Sequence, residues 1–504
     1  MNRTPLGIDA GADSSAGIGQ PPDDIETGPR CEGTPMDLTA LTISEAAAAL
    51  QRGETTAEAY ADALLARAAA HADLGAFIHF DPAPVRAAAR AADARRASGA
   101  ALGPLHGVPL ALKDNLDTAE MPTTGGTPGL RGHRPKRNAA IVQKLFDAGA
   151  IAFGKANLHE LAYGITNNNA AFGAARNPYD RTRIPGASSG GVGVAVAARM
   201  APGGIGSDTG GSVRIPAALC GIVGFRPTTG RWAQTGIVPI SHTRDTAGPM
   251  TRSVADCALL DGVVTGASTL IESLGLKGVR LGVPRAHFWT PLDHEVARLM
   301  EGALAALKDA GAVLVEGDIA DVGRLDAEAG FPIALYETVV DLGAYLASHG
   351  SPLNYAQLVA KCASPDMSGL LQSLAGDGAI PEAAYRHALD TLRPQLQAAY
   401  REHFRRHAVD AIVFPTTPLA AAPIGEDETV DLNGERVPTF PTFIRNTSPG
   451  SVAGIPGISL PAALTAAGLP LGLELDGPEG SDARLLALAA AVERVLPKMP
   501  APRL

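Results

Sequence analysis

Short apolar segments alternate with helical segments from about residue 105 onwards, and this alternation constrains the fold of the chain most strongly. The segments 108–112 (VPLAL), 151–154, 204–206 and 222–225 contain only apolar or small residues and are too short for buried helices. Longer segments with helical spacing of apolar residues separate them, at 139–148, 192–198 and 253–264. Helices interleaved with buried strands are typical of α/β proteins. The sequence therefore predicts an α/β fold with a mixed central sheet covered by helices on both sides.

The second half of the chain continues this pattern around a mostly helical segment at 321–407, which we interpret as an insertion. Further strands and helices are expected on either side of it, with strands at 279–283, 312–315, 411–414, 458–462 and 471–475 and helices at 294–310 and 483–495. We find no internal repeat. The chain is therefore predicted to form one domain at 37–504. Residues 1–36 are rich in Gly, Pro, Asp and Ser and are expected to be a disordered extension.

Composition and charge exclude several classes of function. The chain has 504 residues, of which 46% are hydrophobic and 19% charged, which is typical of a globular protein. Its net charge of −10 argues against nucleic acid or an anionic membrane as the main partner. No apolar run reaches the length of about 18–20 residues that a membrane span needs, and we find no signal peptide. We expect a cytoplasmic protein.

Cysteine usage supports the same location. The four cysteines are scattered without the C-x-x-C spacing of a zinc site or the pattern of a disulfide framework: Cys31, Cys220, Cys257 and Cys362. We therefore expect neither a metal nor structural disulfides in this protein.

Two glycine-rich turns that carry serines, at 186–191 and 208–212, enclose an apolar run of small residues. Glycine at this density indicates backbone with positive φ or backbone that another group approaches closely. A substrate oxygen bound by main-chain N–H groups is one such group. A phosphate cradle is another, but neither turn matches G-x-x-x-x-G-K-[ST] or G-x-G-x-x-G. Nucleotide binding is therefore disfavoured.

An α/β-hydrolase site is the second alternative, because the first turn matches G-x-S-x-G around Ser188. A nucleophile elbow needs a buried strand that leads directly into the serine. Here the preceding residues 180–185 are charged and end in proline, and His242 precedes Asp245, which inverts the expected order. We interpret this match as coincidental.

The third alternative uses both serines and a lysine in place of histidine. A serine can be activated by a neutral lysine, which requires a lowered lysine pKa. Lys113 ends the apolar segment 108–112, and burial against that strand would lower its pKa. On this hypothesis, activity decreases as the pH falls and Lys113 becomes protonated.

These segments resemble the amidase signature hydrolases, and the resemblance extends from about residue 40 to 497. It is strongest in GVPLALKDN, PGASSGGVGVAVAA and GSDTGGSVRIPAALCGIVGFRPT. The resemblance implies that Ser212 is the nucleophile, Ser188 the bridging serine and Lys113 the ultimate base. It implies an acyl-enzyme mechanism that needs no metal or cofactor.

The resemblance also assigns supporting roles around the two turns. The backbone N–H groups expected to form the oxyanion hole are those of Thr209, Gly210, Gly211 and Ser212. Asp208 and Arg214 are expected to hold this turn in place, and Ser189 to form a hydrogen bond within the relay. The family has a cis peptide bond before the bridging serine, here Ala187–Ser188. Alanine at 187 departs from the usual glycine, and we expect only slight repacking around its methyl group.

Within the family, the segments 158–168, 176–180 and 236–249 are most similar to the branch that contains indoleacetamide and mandelamide hydrolases. Tyr163 and Phe172 fall where family members line the acyl pocket, and aromatic side chains there suit an aryl group. The helical insertion is expected to shape the rest of the pocket. We therefore expect hydrolysis of a small aryl amide by a monomer or homodimer.

Other activities of the same family remain open at this point. An aryl acylamidase, an esterase or a carbamate (urethane) hydrolase would use the same chemistry. A less favoured alternative is the amidotransferase subunit, which works with partner chains.

Overall fold

The strand that carries Lys113 lies inside a large sheet, and all five of its residues are buried. The computed structural model describes residues 36–269, 271 and 274–504, so that the extension expected at 1–36 lies almost entirely outside the described residues. The residues Leu38–Leu504 form one compact unit. Its strands are β1 (Phe77–His79), β2 (Pro109–Lys113), β3 (Ile151–Ala156), β4 (Asn168–Asn169), β5 (Gly173–Ala174), β6 (Gly203–Asp208), β7 (Val223–Arg226), β8 (Thr246–Thr251), β9 (Arg280–Val283), β10 (Val313–Glu316), β11 (Ala411–Pro415), β12 (Thr429–Leu432), β13 (Glu435–Pro438), β14 (Gly457–Leu464) and β15 (Pro470–Asp476).

The central sheet is mixed, as the sequence predicts. Within the described residues it has eleven strands in the order β1-β3-β2-β6-β8-β7-β14-β15-β11-β9-β10. Its two sides contain the parallel groups β3-β2-β6 and β11-β9-β10, whereas the strands between them pair antiparallel. The small-residue segment at 204–206 lies inside this sheet, since β6 pairs with both β2 and β8.

Helices flank the sheet, and the five helices predicted outside the insertion begin within two residues of their expected starts. The first helix has a capping box formed by Thr42 and Glu45, and it ends at Gly53, whose φ of 73° suits glycine. No helix in the described part of the chain combines the length and apolar character needed to cross a membrane. The helices are α1 (Ile43–Arg52), α2 (Ala57–Ala70), α3 (Pro82–Ala97), α4 (Ala140–Asp147), α5 (Gly190–Ala197), α6 (Arg214–Cys220), α7 (Val254–Thr265), α8 (Arg285–Phe288), α9 (His294–Asp309), α10 (Val322–Ser348), α11 (Tyr355–Val359), α12 (Pro365–Ser373), α13 (Glu382–His387), α14 (Arg393–His407), α15 (Thr439–Ile444), α16 (Ser448–Ala453) and α17 (Asp482–Glu493).

The segment predicted as a helical insertion contains the five helices α10–α14. Its longest helix, α10, contributes Leu342 and Leu346 to a buried cluster with Leu130 and Leu161 from the first half of the chain. The insertion is therefore packed against the loops that follow β2 and β3.

Candidate functional site

Lys113 lies at the end of β2 with its side chain fully buried. Its Nζ donates hydrogen bonds to Ser188 Oγ at 2.7 Å and to Ser207 Oγ at 2.8 Å, and it lies 3.4 Å from the carbonyl oxygen of Ser207. Burial lowers the pKa of Lys113 to about 7, although the carboxylates of Asp208 and Asp245 oppose this shift. The amine can therefore lose its proton near neutral pH, as a general base requires.

A second buried lysine fixes the loop that follows β2. Lys155 Nζ lies 3.3 Å from Asp114 Oδ1 and donates to the carbonyl oxygen of Leu116 at 2.6 Å and to Thr123 Oγ1 at 2.8 Å. Asp114 also accepts the backbone N–H of Thr124 at 3.1 Å. These bonds hold the loop in one conformation immediately after Lys113.

Ser188 and Ser189 precede α5, and the peptide bond Ala187–Ser188 is cis, as the resemblance implies. Ser189 Oγ donates to the carbonyl oxygen of Ser207 at 3.2 Å and accepts the backbone N–H of Ser207 at 3.3 Å. A Cβ at Gly191 would lie 2.4 Å from the backbone nitrogen of Asn157, so glycine is required there. The first turn is thus packed directly against β6 and the end of β3.

The second turn follows β6 and touches the first, since the backbone N–H of Ser189 donates to the carbonyl oxygen of Ser212 at 3.1 Å. Ser212 and Thr209 are partly exposed, whereas Ser188 and Lys113 are buried. The turn that carries the partly exposed Ser212 is therefore in direct contact with the turn that carries the buried Ser188.

One amide of the expected oxyanion hole has another partner. The backbone N–H of Gly211 donates to Asp208 Oδ1 at 2.9 Å, in a residue whose φ of 139° favours glycine. This bond occupies a donor that we expected to face substrate. An oxyanion role stays a prediction for the N–H groups of Thr209, Gly210 and Ser212, whereas that of Gly211 is directed to Asp208.

Asp208 is held by two buried arginines. Arg214 donates to both of its carboxylate oxygens at 3.1 Å, and Arg226 Nη1 donates to Asp208 Oδ1 at 2.9 Å. Burial alone would raise the pKa of Asp208, but the two guanidinium groups hold it well below its usual range. Asp208 is therefore ionised, and with Arg214 it holds the turn as expected. Arg226 was missed, although it directly follows a buried apolar segment in the motif GFRP.

The other side of Arg214 faces two carboxyl groups of β15. Its Nη1 donates to Glu474 Oε1 and lies 3.9 Å from Asp476 Oδ1. Burial raises the pKa of Glu474 well above its ordinary value and that of Asp476 to about 6, although Arg214 opposes both shifts. The β15 carboxyl groups thus enclose Arg214 in the sheet interior.

The outer side of the second turn is held by residues that are distant in sequence. Thr447 Oγ1 donates to the carbonyl oxygen of Gly210 at 2.6 Å, and Thr209 Oγ1 donates to Asp245 Oδ1 at 2.5 Å. His242 is exposed and its Nδ1 lies 3.0 Å from Asp341 Oδ2. Asp245 and His242 therefore have separate structural partners, which agrees with our rejection of an α/β-hydrolase site.

The two aromatic residues predicted for the acyl pocket have partners elsewhere. The Tyr163 hydroxyl forms a hydrogen bond with Thr338 Oγ1 in α10. The Arg131 guanidinium lies 4.6 Å above the ring of Phe172. Neither contact involves the lysine or the two turn serines, so a role in the pocket stays a prediction for both residues.

Asp117, His133 and His349 form a cluster that could offer three ligand atoms to a metal. His349 Nε2 lies 2.9 Å from Asp117 Oδ2, and the Tyr345 hydroxyl donates to Asp117 Oδ1 at 2.7 Å. His133 Nε2 lies 3.2 Å from the same Tyr345 hydroxyl, so hydrogen bonds through Tyr345 link all three members of the cluster. We therefore assign the cluster no role in the relay.

This chain is similar to known proteins over most of its length. A family model described as "Amidase" matches residues 59–486. An indoleacetamide hydrolase of Agrobacterium vitis is 44% identical over 92% of this chain and 97% of its own length. A mandelamide hydrolase of Pseudomonas putida is 39% identical, with 93% and 94% of the two chains covered. The crystal structure of a peptide amidase from Stenotrophomonas maltophilia has a TM-score of 0.80 and 33% identity, and covers 92% of this chain and 98% of that one.

Proposed function

Because this chain belongs to the amidase family, we propose that it hydrolyses a small aryl amide through an acyl-enzyme formed on Ser212. The hydrolysis of an amide C–N bond is the reaction of the family, and the chain is an enzyme of this class. The observation that carries the assignment of residues is the 2.7 Å hydrogen bond between Lys113 Nζ and Ser188 Oγ. The turn of Ser188 also contacts the turn that carries the partly exposed Ser212. The names of the relatives above support an arylacetamide-type substrate.

The proposed relay transfers protons from the partly exposed Ser212 through Ser188 to the buried Lys113. Neutral Lys113 accepts a proton from Ser188 while Ser188 accepts one from Ser212, and Ser212 Oγ attacks the amide carbonyl carbon. The tetrahedral intermediate breaks its C–N bond as the leaving nitrogen takes the proton back through the relay. Water then attacks the ester carbonyl by the same route and releases the acid. The hydrogen bond from the Ser189 N–H to the Ser212 carbonyl oxygen joins the two serine turns and supports a transfer between them.

The developing negative charge on the carbonyl oxygen needs backbone donors. We assign this role to the N–H groups of Thr209, Gly210 and Ser212, since the N–H of Gly211 is directed to Asp208. The loss of one such donor elsewhere lowers kcat by about 10²–10³-fold. The hydrogen bonds of Thr447 and Asp245 to this turn therefore fix groups on which the rate depends.

An apolar wall beside Gly210 suits an aryl acyl group. Ile444 Cδ1 would lie 2.7 Å from a Cβ at Gly210, so the side chain of Ile444 packs on the turn. Phe440 lies one turn earlier in α15, with its ring centroid 6.3 Å from that of Phe331 in α10. Phe331 is 48% exposed, so its ring is accessible to a ligand. We assign these three residues to the acyl pocket.

A substrate panel tests this proposal. Ammonia release from indole-3-acetamide, mandelamide, glutamine and acetamide is measured with the purified single chain, together with hydrolysis of matched anilides, esters and carbamates. We expect the highest kcat/KM for the two aryl amides. Activity on glutamine alone, or a preference for the anilides or carbamates, would contradict the substrate proposal.

A further inference from the structure

A histidine at the C-terminal end of α10 lies against a buried carboxyl group of the loop that follows β2. His349 Nε2 is 2.9 Å from Asp117 Oδ2, and the Asp117 side chain is only 2% exposed. The other ring nitrogen of His349, Nδ1, is 2.8 Å from the carbonyl oxygen of Tyr345. The imidazole therefore lies between two oxygen atoms, neither of which belongs to the proposed relay.

The hydrogen-bond roles of His349 direct its Nε2 at an acceptor. A carbonyl oxygen only accepts, so Nδ1 carries the proton that is donated to Tyr345. Ser348 Oγ donates its single proton to the same carbonyl oxygen at 2.9 Å, so it does not donate to Nδ1. In the neutral imidazole, Nε2 then directs a lone pair at the Asp117 carboxylate, which also only accepts. A cation between these two atoms resolves the conflict, and that cation can be a proton or a metal ion.

A third ligand in the right place favours a metal ion. His133 completes a set with Asp117 and His349 in which one ligand atom from each residue lies within 4.8 Å of the others. Around a tetrahedral Zn²⁺ the ligand atoms are about 3.3 Å apart, because the Zn–N and Zn–O bonds are about 2.0–2.2 Å long. The 2.9 Å pair is already close to this separation. A shift of about 1.5 Å or less by the partly exposed His133 completes the spacing.

The surroundings of His349 are those of a metal ligand. Metal-binding histidines usually donate their second ring N–H to a carboxylate or a backbone carbonyl, which fixes the tautomer and the ring orientation. His349 has this bond to Tyr345, and its ring stacks on the Tyr345 ring with the centroids 4.0 Å apart. A cavity of about 280 Å³ opens beside both residues, and 22% of the His349 side chain is exposed. An ion from solvent can therefore reach a preoriented ligand.

A second cluster, formed by His242, Glu337 and Asp341, brings three ligand atoms equally close. Its central oxygen is already occupied. Glu337 Oε2 lies 3.6 Å from His242 Nδ1, and it accepts hydrogen bonds from Ser241 Oγ and from both the backbone N–H and the Oγ1 of Thr243. This oxygen has no lone pair left for a metal ion, so the first cluster is favoured.

We propose that Asp117, His133 and His349 bind one divalent transition-metal ion of the Zn²⁺ type, with water as the fourth ligand. The ion replaces the proton between Asp117 and His349 and links the end of α10 to the loop that follows Lys113. Imidazole ligands suit Zn²⁺, whereas Mg²⁺ prefers oxygen ligands. The three ligands come from distant segments, so the sequence shows no metal motif. The ion takes no part in the relay, and the site does not depend on the proposed function.

Titration calorimetry with ZnCl₂ tests the site on the full-length chain, purified without a histidine tag. We expect one Zn²⁺ per chain, and a thermal midpoint that rises with Zn²⁺ but not with Mg²⁺. His349→Gln and His133→Gln each remove one ligand and are expected to weaken the Zn²⁺ affinity at least about tenfold. Both histidines are partly exposed, and circular dichroism without metal confirms that the two variants are folded.

His242→Gln is the matched control, because it removes the histidine of the second cluster. We expect this variant to keep the wild-type affinity for Zn²⁺. The site would be overturned by a wild-type chain that binds no Zn²⁺, or by wild-type affinity in both His349→Gln and His133→Gln. Loss of binding in His242→Gln would place the ion in the second cluster instead. An equal rise of the midpoint with Mg²⁺ would contradict binding by imidazole.

Discussion

Asp208 Oδ1 accepts the backbone N–H of Gly211 at 2.9 Å, within the turn that carries Ser212. The other Asp208 oxygen accepts the N–H of Val213 at 3.1 Å. One ionised carboxylate thus binds the backbone on both sides of the proposed nucleophile, while Arg214 and Arg226 bind the carboxylate. The shape of the second turn therefore depends on a buried charge network.

Asp208→Asn tests this network. The change removes the negative charge and leaves Arg214 and Arg226 without their shared partner, so we expect a loss of about 3–5 kcal/mol in the free energy of unfolding. Urea denaturation measures this loss. Asp62→Asn is the control, since its pair with Arg86 is exposed on both sides and contributes at most about 1 kcal/mol. Equal effects of the two variants would contradict the role of Asp208.

The pH dependence of activity tests the protonation state of Lys113. The folded pKa of about 7 lies below the ordinary value, so the amine is neutral above pH 7 and charged below it. Only the neutral amine accepts a proton, and we expect kcat/KM to rise about tenfold per pH unit below pH 7 and to level off above it. Circular dichroism at each pH confirms that the fold is retained. A profile that is flat from pH 5 to 8 would be incompatible with a lysine base.

Ser207→Ala tests the positioning of Lys113. The Ser207 hydroxyl lies 2.8 Å from Lys113 Nζ and also accepts from Asn115 Nδ2 at 2.9 Å. Without it the amine can rotate away from Ser188, and we expect kcat to fall about 10–100-fold with little change in KM. Ser459→Ala removes another buried hydroxyl of the sheet, bonded to Thr416 Oγ1 at 2.7 Å, and is expected to keep wild-type kcat. Equal kcat in both variants would show that Ser207 does not position the base.

Thr447→Val tests whether the hydrogen bond from Thr447 holds the second turn in the conformation that activity requires. The variant keeps the shape of the side chain but loses the 2.6 Å hydrogen bond to the carbonyl oxygen of Gly210. We expect kcat to decrease about tenfold, because the Gly210 peptide can then tilt. Thr442→Val is the control in the neighbouring helix α15, where Thr442 Oγ1 donates to the carbonyl oxygen of Pro438 at 2.7 Å. A Thr447→Val enzyme with wild-type kcat would contradict this role.

The sequence predicted the strand of Lys113 well because the lysine directly follows the continuous apolar segment 108–112. It did not predict β8 (Thr246–Thr251), which contains Pro249 and yet lies between β6 and β7. Proline in a central strand argues against strand formation, since it cannot donate to the ladder. The strand forms because neighbours on both sides fix its backbone, which local propensity does not reveal.

The site residues can be divided in the same way, into those that sequence motifs identify and those that only the folded chain brings together. Lys113, Ser188 and Ser212 stand in recognisable motifs, whereas Thr447 approaches Gly210 only through the fold, 237 positions further along the chain. Arg244 and Ile444 are likewise brought to this turn by tertiary packing. Sequence motifs therefore identified the proposed relay, but the proposed pocket required the packing of α10 and α15 against the turn.

The central claim is that Ser212 is the nucleophile, and the rate of ammonia release by Ser212→Ala tests it most directly. Ser212 is partly exposed, so we expect a folded variant with an unchanged thermal midpoint. Its kcat on the best aryl amide should fall by at least about 10⁴-fold, as in other hydrolases that lose a serine nucleophile. A Ser212→Ala enzyme that retains a kcat within tenfold of the wild type would contradict the account.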